Sequence, residues 1–382
     1  MKRETRFDDI HPYWDEEIPD AMRRITESRF FPALVSFVFP DENVASVKEK
    51  MLGFRTIYDF QSSIMSEVNR QIIARSITDL TYEGLEKINP EKKYLFIGNH
   101  RDIVLDPCLL MYILYLNGHD TGEITFGSNL MQGELVIDIG KSNKMFRVER
   151  SGNPRDIYKN SVHLSEYIRY VITEKRESVW IAQRNGRTKD GVDRTDQGVI
   201  KMFGMSGPKD RVEALSELNI VPVSVSYEWE PCDTLKTLEI YATGNGKPYI
   251  KRPGEDMNSI LTGILQEKGR VHFQICEPLK RDELEAFKDM PHSQFHRSVA
   301  KLIDRRICGG YRLFPNAYIA HDIRYGKAEY ADRYTKEQYV DRYTKEQYDA
   351  FLNHMARLYD INANDVLKDI FLGIYCNPIA SK

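Results

Sequence analysis

The chain has 382 residues, 41% hydrophobic and 29% charged, a length that allows two or three domains or one elaborated one and a composition that is globular rather than disordered. A formal net charge of -3 argues against a general nucleic-acid binder. Five widely spaced cysteines without a CxxC pair read as reduced thiols, not as a disulfide frame or zinc site, and with no basic-plus-apolar leader a cytoplasmic location is expected.

Residues 1–81 read as an N-terminal helical region. Between Val44 and Thr78, Met51, Phe54, Tyr58, Ile64, Val68, Ile72 and Ile73 recur at three- and four-residue steps and make one apolar face. FFPALVSFVFP, Phe30 to Pro40, is too short to span a bilayer; a buried element is favoured over an interfacial foot.

From 82 to 280 short strand-like runs alternate with helical ones. Strands are expected at Tyr94–Gly98, Ile124–Ser128, Ser178–Gln183, Asn219–Tyr227, Thr237–Ala242 and Arg270–Cys276, with helices at Pro107–Leu116, Asp156–Glu174, Asp196–Met205 and Glu255–Glu267. The alternation predicts an α/β domain with a mixed β-sheet layered with helices. Residues 281–382 return to helical texture and carry a duplicated DRYTKEQY at Asp332–Tyr339 and Asp341–Tyr348, read as a local duplication on a charged surface.

Chemistry is concentrated in four blocks. NHRDIVLDP, Asn99 to Pro107, joins the strand-like YLFIG to an apolar run that starts a helix, and it sets Asp102 and Asp106 two and six residues after His100. An imidazole held by a carboxylate is a general base for an alcohol near neutral pH. The plainer reading is a strand-end histidine with Asp106 opening a helix before Pro107.

MFRVERSG, Met145 to Gly152, places Arg147 and Arg150 around Glu149, a solvated charge run on an open surface or a bidentate phosphate holder near a pocket. The adjacent Gly140, Lys141 and Ser142 make no phosphate loop, because Leu135 stands where glycine is required. VWIAQRNGRTKDG, Val179 to Gly191, runs an apolar strand into Arg184, Gly186, Arg187 and Lys189, a basic surface turn or an anion cradle. In NIVPVSVSYEW, Asn219 to Trp229, Pro222 suggests a strand's beginning, an edge or a bend. His292 and His296 are four apart on an expected helix without the glutamate of a zinc motif, and no metal is implied.

In this order the blocks resemble the four motifs of the glycerolipid acyltransferases, which acylate glycerol-3-phosphate and 1-acylglycerol-3-phosphate. Asn99, His100, Asp106 and Pro107 look like the two ends of the first motif, and Phe146 and Arg147, with Arg150 close by, like the second. Trp180, Ile181, Ala182, Gly186, Arg187 and Lys189 are most similar to the third motif of the soluble plastid-type glycerol-3-phosphate acyltransferases, and Pro222 looks like the fourth. The family sets four residues between histidine and aspartate; here there are five. Either the extra residue lies in the loop before the helix, or Asp102 is the partner; the position before proline favours Asp106. Gln183 and Arg184 stand near where many members carry Glu-Gly.

The resemblance implies that His100, oriented by Asp106, deprotonates a glycerol hydroxyl that attacks an acyl thioester directly. It implies that Arg187 and Lys189, with Arg147 or Arg150, hold the acceptor phosphate, and that Gly186 and Pro222 belong to the same substrate site. The donor would be acyl-ACP (acyl-carrier protein) or acyl-CoA and the acceptor a phosphorylated glycerol, with no cofactor, no nucleic acid, and peripheral contact with the inner membrane face as an option. The alternatives are 1-acylglycerol-3-phosphate or a lyso-aminolipid as acceptor, or an inactive lipid-binding or scaffold protein.

Overall fold

The computed structural model describes residues 4–149, 152–244, 249–327, 329–330, 343–358 and 363–382. Seven strands are hydrogen-bonded into one sheet: β1 Ile77–Glu83, β2 Leu95–Gly98, β3 Glu123–Gly127, β4 Met145–Val148, β5 Val179–Ala182, β6 Ile220–Tyr227 and β7 Gly269–Ile275. Their order is β1-β7-β6-β2-β5-β3-β4. From β6 to β4 all neighbours are parallel; β7 runs antiparallel to β6, and β1 parallel to β7. The sheet is therefore mixed, as expected, with the reversed pair at one edge.

The helices in chain order are α1 Ile18–Glu27, α2 Phe31–Val38, α3 Val44–Leu52, α4 Ile57–Phe60, α5 Ser66–Ser76, α6 Leu105–Leu116, α7 Glu134–Ser142, α8 Pro154–Tyr170 and α9 Gln197–Phe203. They continue with α10 Arg211–Ser216, α11 Asp233–Thr243, α12 Glu255–Leu265, α13 Arg281–Glu285, α14 His292–Gly309, α15 Pro315–Tyr325, α16 Lys345–Ala356 and α17 Asp365–Ser381. Strand side chains alternate between faces, and β2 shows the result. Leu95 and Ile97 enter a core with α8, α9 and α14, whereas Phe96 enters the opposite core with α5 and α6. α1 to α4 build a separate apolar cluster, and α15 to α17 another.

Phe31, Val35 and Val38 turn one face of α2 into the N-terminal cluster while Phe30 is exposed, so the apolar run near the start is chiefly packing material. Among the described residues no helix is long and apolar enough to cross a membrane, and all five cysteines are free and buried.

Local assignments depart from expectation in four places. The segment Val44–Thr78 is broken at Gly53–Thr56 and ends in β1. The run Thr237–Ala242 is not a strand but part of α11, where Asp233, Lys236 and Thr237 are buried. Those positions have helical spacing, but they are polar, so hydrophobic patterning does not reveal them. β4 lies inside the block read only for its arginines. Pro222 is the third residue of an interior strand: its carbonyl accepts from Cys276 just past the end of β7, and its missing N–H faces that same side. The ladder to β2 loses nothing. Arg150 and the first copy of the duplicated octapeptide lie outside the described residues; in the second copy Thr344 caps α16.

Candidate active site

The parallel strands end where loops can converge on a ligand, and Asn99 fixes that edge. Beyond the end of β2 its side chain continues the ladder, Oδ1 accepting from the Val225 N–H at 2.8 Å and Nδ2 donating to the Val225 carbonyl at 3.0 Å. His100 follows with its side chain 12% exposed, its ring edge-on to Trp180 at 5.5 Å.

His100 Nδ1 lies 2.9 Å from Asp106 Oδ2. The same oxygen accepts the backbone N–H groups of Arg101 at 2.6 Å and Asp102 at 2.9 Å, and Oδ1 accepts the Tyr227 hydroxyl at 2.7 Å. An ionised carboxylate only accepts, so Nδ1 carries the proton and Nε2 presents its lone pair. Nε2 has no hydrogen-bond partner among the described residues.

Asp102 does a different job. Its Oδ1 accepts the N–H groups of Val104 and Leu105 at 2.9 and 2.8 Å, which caps the start of α6. The fifth intervening residue thus lies in the loop before α6, and Asp106 is the histidine's partner. Burial and the Asp106 charge raise the Asp102 carboxyl above its ordinary range, with the N–H groups of Leu105 and Val104 and the Arg187 charge opposing.

The loop after β5 closes over this motif. Gln183 N–H donates to the Gly98 carbonyl and Thr188 N–H to the His100 carbonyl, both at 2.8 Å. Gly186, at φ +77°, takes the left-handed turn that makes the reversal. Arg187 is buried at 9% exposure, and its Nη1 has no hydrogen-bond partner among the described residues. Lys189 is ion-paired with Glu239 of α11.

The Thr188–His100 bond brings the loop that carries Gly186, Arg187 and Lys189 against the His100–Asp106 pair, and the Arg187 charge acts on neighbouring Asp102. Arg147 stands apart: it sits on edge strand β4, 55% exposed and 3.1 Å from Glu149. Three strand spacings separate β4 from β2, roughly 14 Å. Pro222 is buried in the sheet against Ile97 of β2.

Beneath the loop lies a buried polar group that sequence patterning does not point to. Asp193 accepts Asn99 Nδ2 at 2.9 Å, Arg101 Nη2 at 2.8 Å, the Thr188 hydroxyl at 2.5 Å and the Tyr311 hydroxyl at 2.6 Å. Arg101 also approaches Glu230 at 3.4 Å, and Glu230 accepts Lys236 at 2.6 Å. Burial alone would raise the Asp193 carboxyl, but Arg101, Thr188, Tyr311 and Asn99 hold it below the ordinary range. Only the charged character of Arg101 within the first block and of Asp193 just after the third hinted at this, since their partnership spans 92 positions.

Residues 79–226 match the family model described as Acyltransferase. This segment belongs to the acyltransferase family. The matched segment contains the first three blocks and all of β2 to β5, and it ends within β6, inside the fourth block. A comparison with curated protein sequences yields no match. Among solved structures, the crystal structure of the 1-acyl-sn-glycerophosphate (LPA) acyltransferase, PlsC, from Thermotoga maritima aligns at 13% identity and TM-score 0.39, covering 75% of this chain and 92% of that one.

Proposed function

We propose that the protein transfers a fatty acyl group from a thioester to a hydroxyl of glycerol-3-phosphate. The observation that carries this reading is the free Nε2 of His100, whose other ring nitrogen is committed to Asp106, beside the unpartnered Nη1 of buried Arg187. A base and an anion holder in one loop cluster suit an acceptor with a hydroxyl and a phosphate.

In this reading Nε2 takes the hydroxyl proton as the oxygen attacks the thioester carbonyl. The carbon–sulfur bond then breaks, and the imidazolium returns the proton to the departing thiolate. Products are an ester and a thiol, and no covalent acyl-enzyme forms. Arg187 holds the acceptor phosphate, with Lys189 as second cation when it exchanges Glu239 for the ligand; Gly186 keeps the loop backbone open to the phosphate. Arg147, far along the sheet, contributes at most to a distal part of a long substrate. The donor is acyl-ACP or acyl-CoA, and the protein works as a peripheral enzyme at the cytoplasmic membrane face.

One labelled acyl thioester offered with glycerol-3-phosphate, 1-acylglycerol-3-phosphate and a lyso-aminolipid tests this. Transfer to glycerol-3-phosphate is expected, abolished in His100→Ala, with Arg187→Ala chiefly raising KM for the phosphorylated acceptor. Full activity in His100→Ala refutes the base, and preference for a phosphate-free acceptor refutes the role of Arg187.

A further inference from the structure

Asp106 is held from two sides that differ in kind. Oδ2 takes its three donors from the consecutive residues His100, Arg101 and Asp102, all on the loop whose geometry the carboxylate is meant to fix. Oδ1 takes its donor from β6, which lies between β7 and β2 in the middle of the sheet. Gly98, the last residue of β2, pairs with Val223, so β6 runs past the end of its neighbour. Val223, Val225 and Tyr227 then alternate onto the face covered by α6, which carries Asp106. Tyr227 is 8% exposed, and burial and the Asp106 charge keep its phenol far above its ordinary range, so it stays a donor throughout any pH at which the protein works.

We propose that Tyr227 is a positioning residue for acyl transfer, its hydroxyl locking the rotation of the Asp106 carboxylate so that Oδ2 keeps facing Nδ1 of His100. This rests on the reading of His100 as general base. A tie to the sheet interior is what a loop-borne pair lacks by itself, because loop and carboxylate could otherwise drift together. When the imidazole takes up a proton, the carboxylate must stabilise new charge without turning, and the bond to Oδ1 opposes that turn.

Charged and titratable groups surround the pair and are the same in wild type and variant: Asp102, Glu230 and Cys108 add negative or neutral character, and Arg101, Arg187, Lys236 and Lys268 are cations. Removing only the Tyr227 hydroxyl leaves Oδ1 without its donor in a buried site, which makes the carboxylate more basic and its hold on the imidazolium tighter. The base then needs a higher pH to be free.

The test compares the full chain with Tyr227→Phe, Asp106→Asn and the double variant. Tyr227→Phe keeps the ring and therefore the packing. Its kcat is expected to fall about tenfold with both KM values within about twofold, and the acid limb of kcat/KM to move up by roughly half a pH unit. In the Asp106→Asn background the same substitution should change kcat less than twofold, because its target is gone. A wild-type rate and unmoved acid limb, or a tenfold loss that persists on Asp106→Asn, overturns the role. Nitrogen NMR of His100 separates this from the function itself: the Nδ1–H tautomer should be seen, with a midpoint raised in Tyr227→Phe, whatever acceptor is used. An unmoved midpoint refutes the positioning role, and absence of acyl transfer by the wild-type protein refutes the parent reading alone.

Discussion

Replacing Asp193 with asparagine keeps the shape of the side chain and removes one charge from a buried set of four. Arg101, Asp193, Glu230 and Lys236 are exposed by 4%, 3%, 5% and 0%, so water screens none of them. The set is balanced, two cations against two carboxylates. In Asp193→Asn, Arg101 retains only Glu230 at 3.4 Å, and Glu230 is already committed to Lys236 at 2.6 Å. Breaking a buried pair in this way destabilises by about 3 to 5 kcal/mol. Denaturant unfolding of wild type and variant should show that loss as a lower midpoint with an unchanged slope. Adding Arg101→Met to Asp193→Asn removes the stranded cation and should recover much of the deficit, since a matched apolar replacement is far less harmful than an orphaned charge. A loss below about 1 kcal/mol, or a double variant no better than the single one, would refute the charge account.

Two further outcomes follow from other sites. Burial pushes the His272 imidazole down to about 4, while the ring is 3% exposed and bonded to the Thr81 hydroxyl at 2.8 Å. Its stabilising contribution is complete above the unfolded value near 6.5 and lost as pH falls toward 4, up to about 3 kcal/mol. His272→Asn should flatten the acid side of a stability-versus-pH curve between those limits, and an unchanged curve assigns acid lability elsewhere. In α12, a methyl group on Gly263 would sit 2.1 Å from Asp102 Oδ2. Gly263→Ala should destabilise by about 1 to 3 kcal/mol and lower activity by loosening the cap of α6; wild-type melting and turnover would show that the contact yields freely.

The legible part of the site was the part written locally. His100, Asp106 and Pro107 lie in nine consecutive residues, and Gly186 with Arg187 follow directly from an apolar strand, so spacing and residue type were enough. Tyr227 and Tyr311 were not legible, because their partners Asp106 and Asp193 stand 121 and 118 positions away and only sheet order brings them together. The same holds for the fold. Central strands with continuous apolar runs were found within a residue or two, whereas β1, with an exposed half, and α11, with a polar buried face, gave patterns that hydrophobicity alone misassigns. Arg147 marks the opposite limit: its motif was readable, but its distance from His100 is a property of strand order and not of sequence.

The reversed edge of the sheet has a consequence for the nascent chain. β1 has β7 as its strand neighbour, and Glu83 and Gly269 are 186 positions apart. At about 5 to 20 residues per second of synthesis, β1 waits roughly 10 to 40 seconds for a partner. During that interval it is an open edge on a growing polypeptide, the kind of surface that pairs with the wrong chain. Asp79 and Glu83, exposed along the strand, place charge on that edge for the whole wait. The acidic residues of β1 therefore guard the unpaired strand during synthesis and, because β1 ends the finished sheet, its outer edge afterwards, where Glu83 also pairs with Arg312.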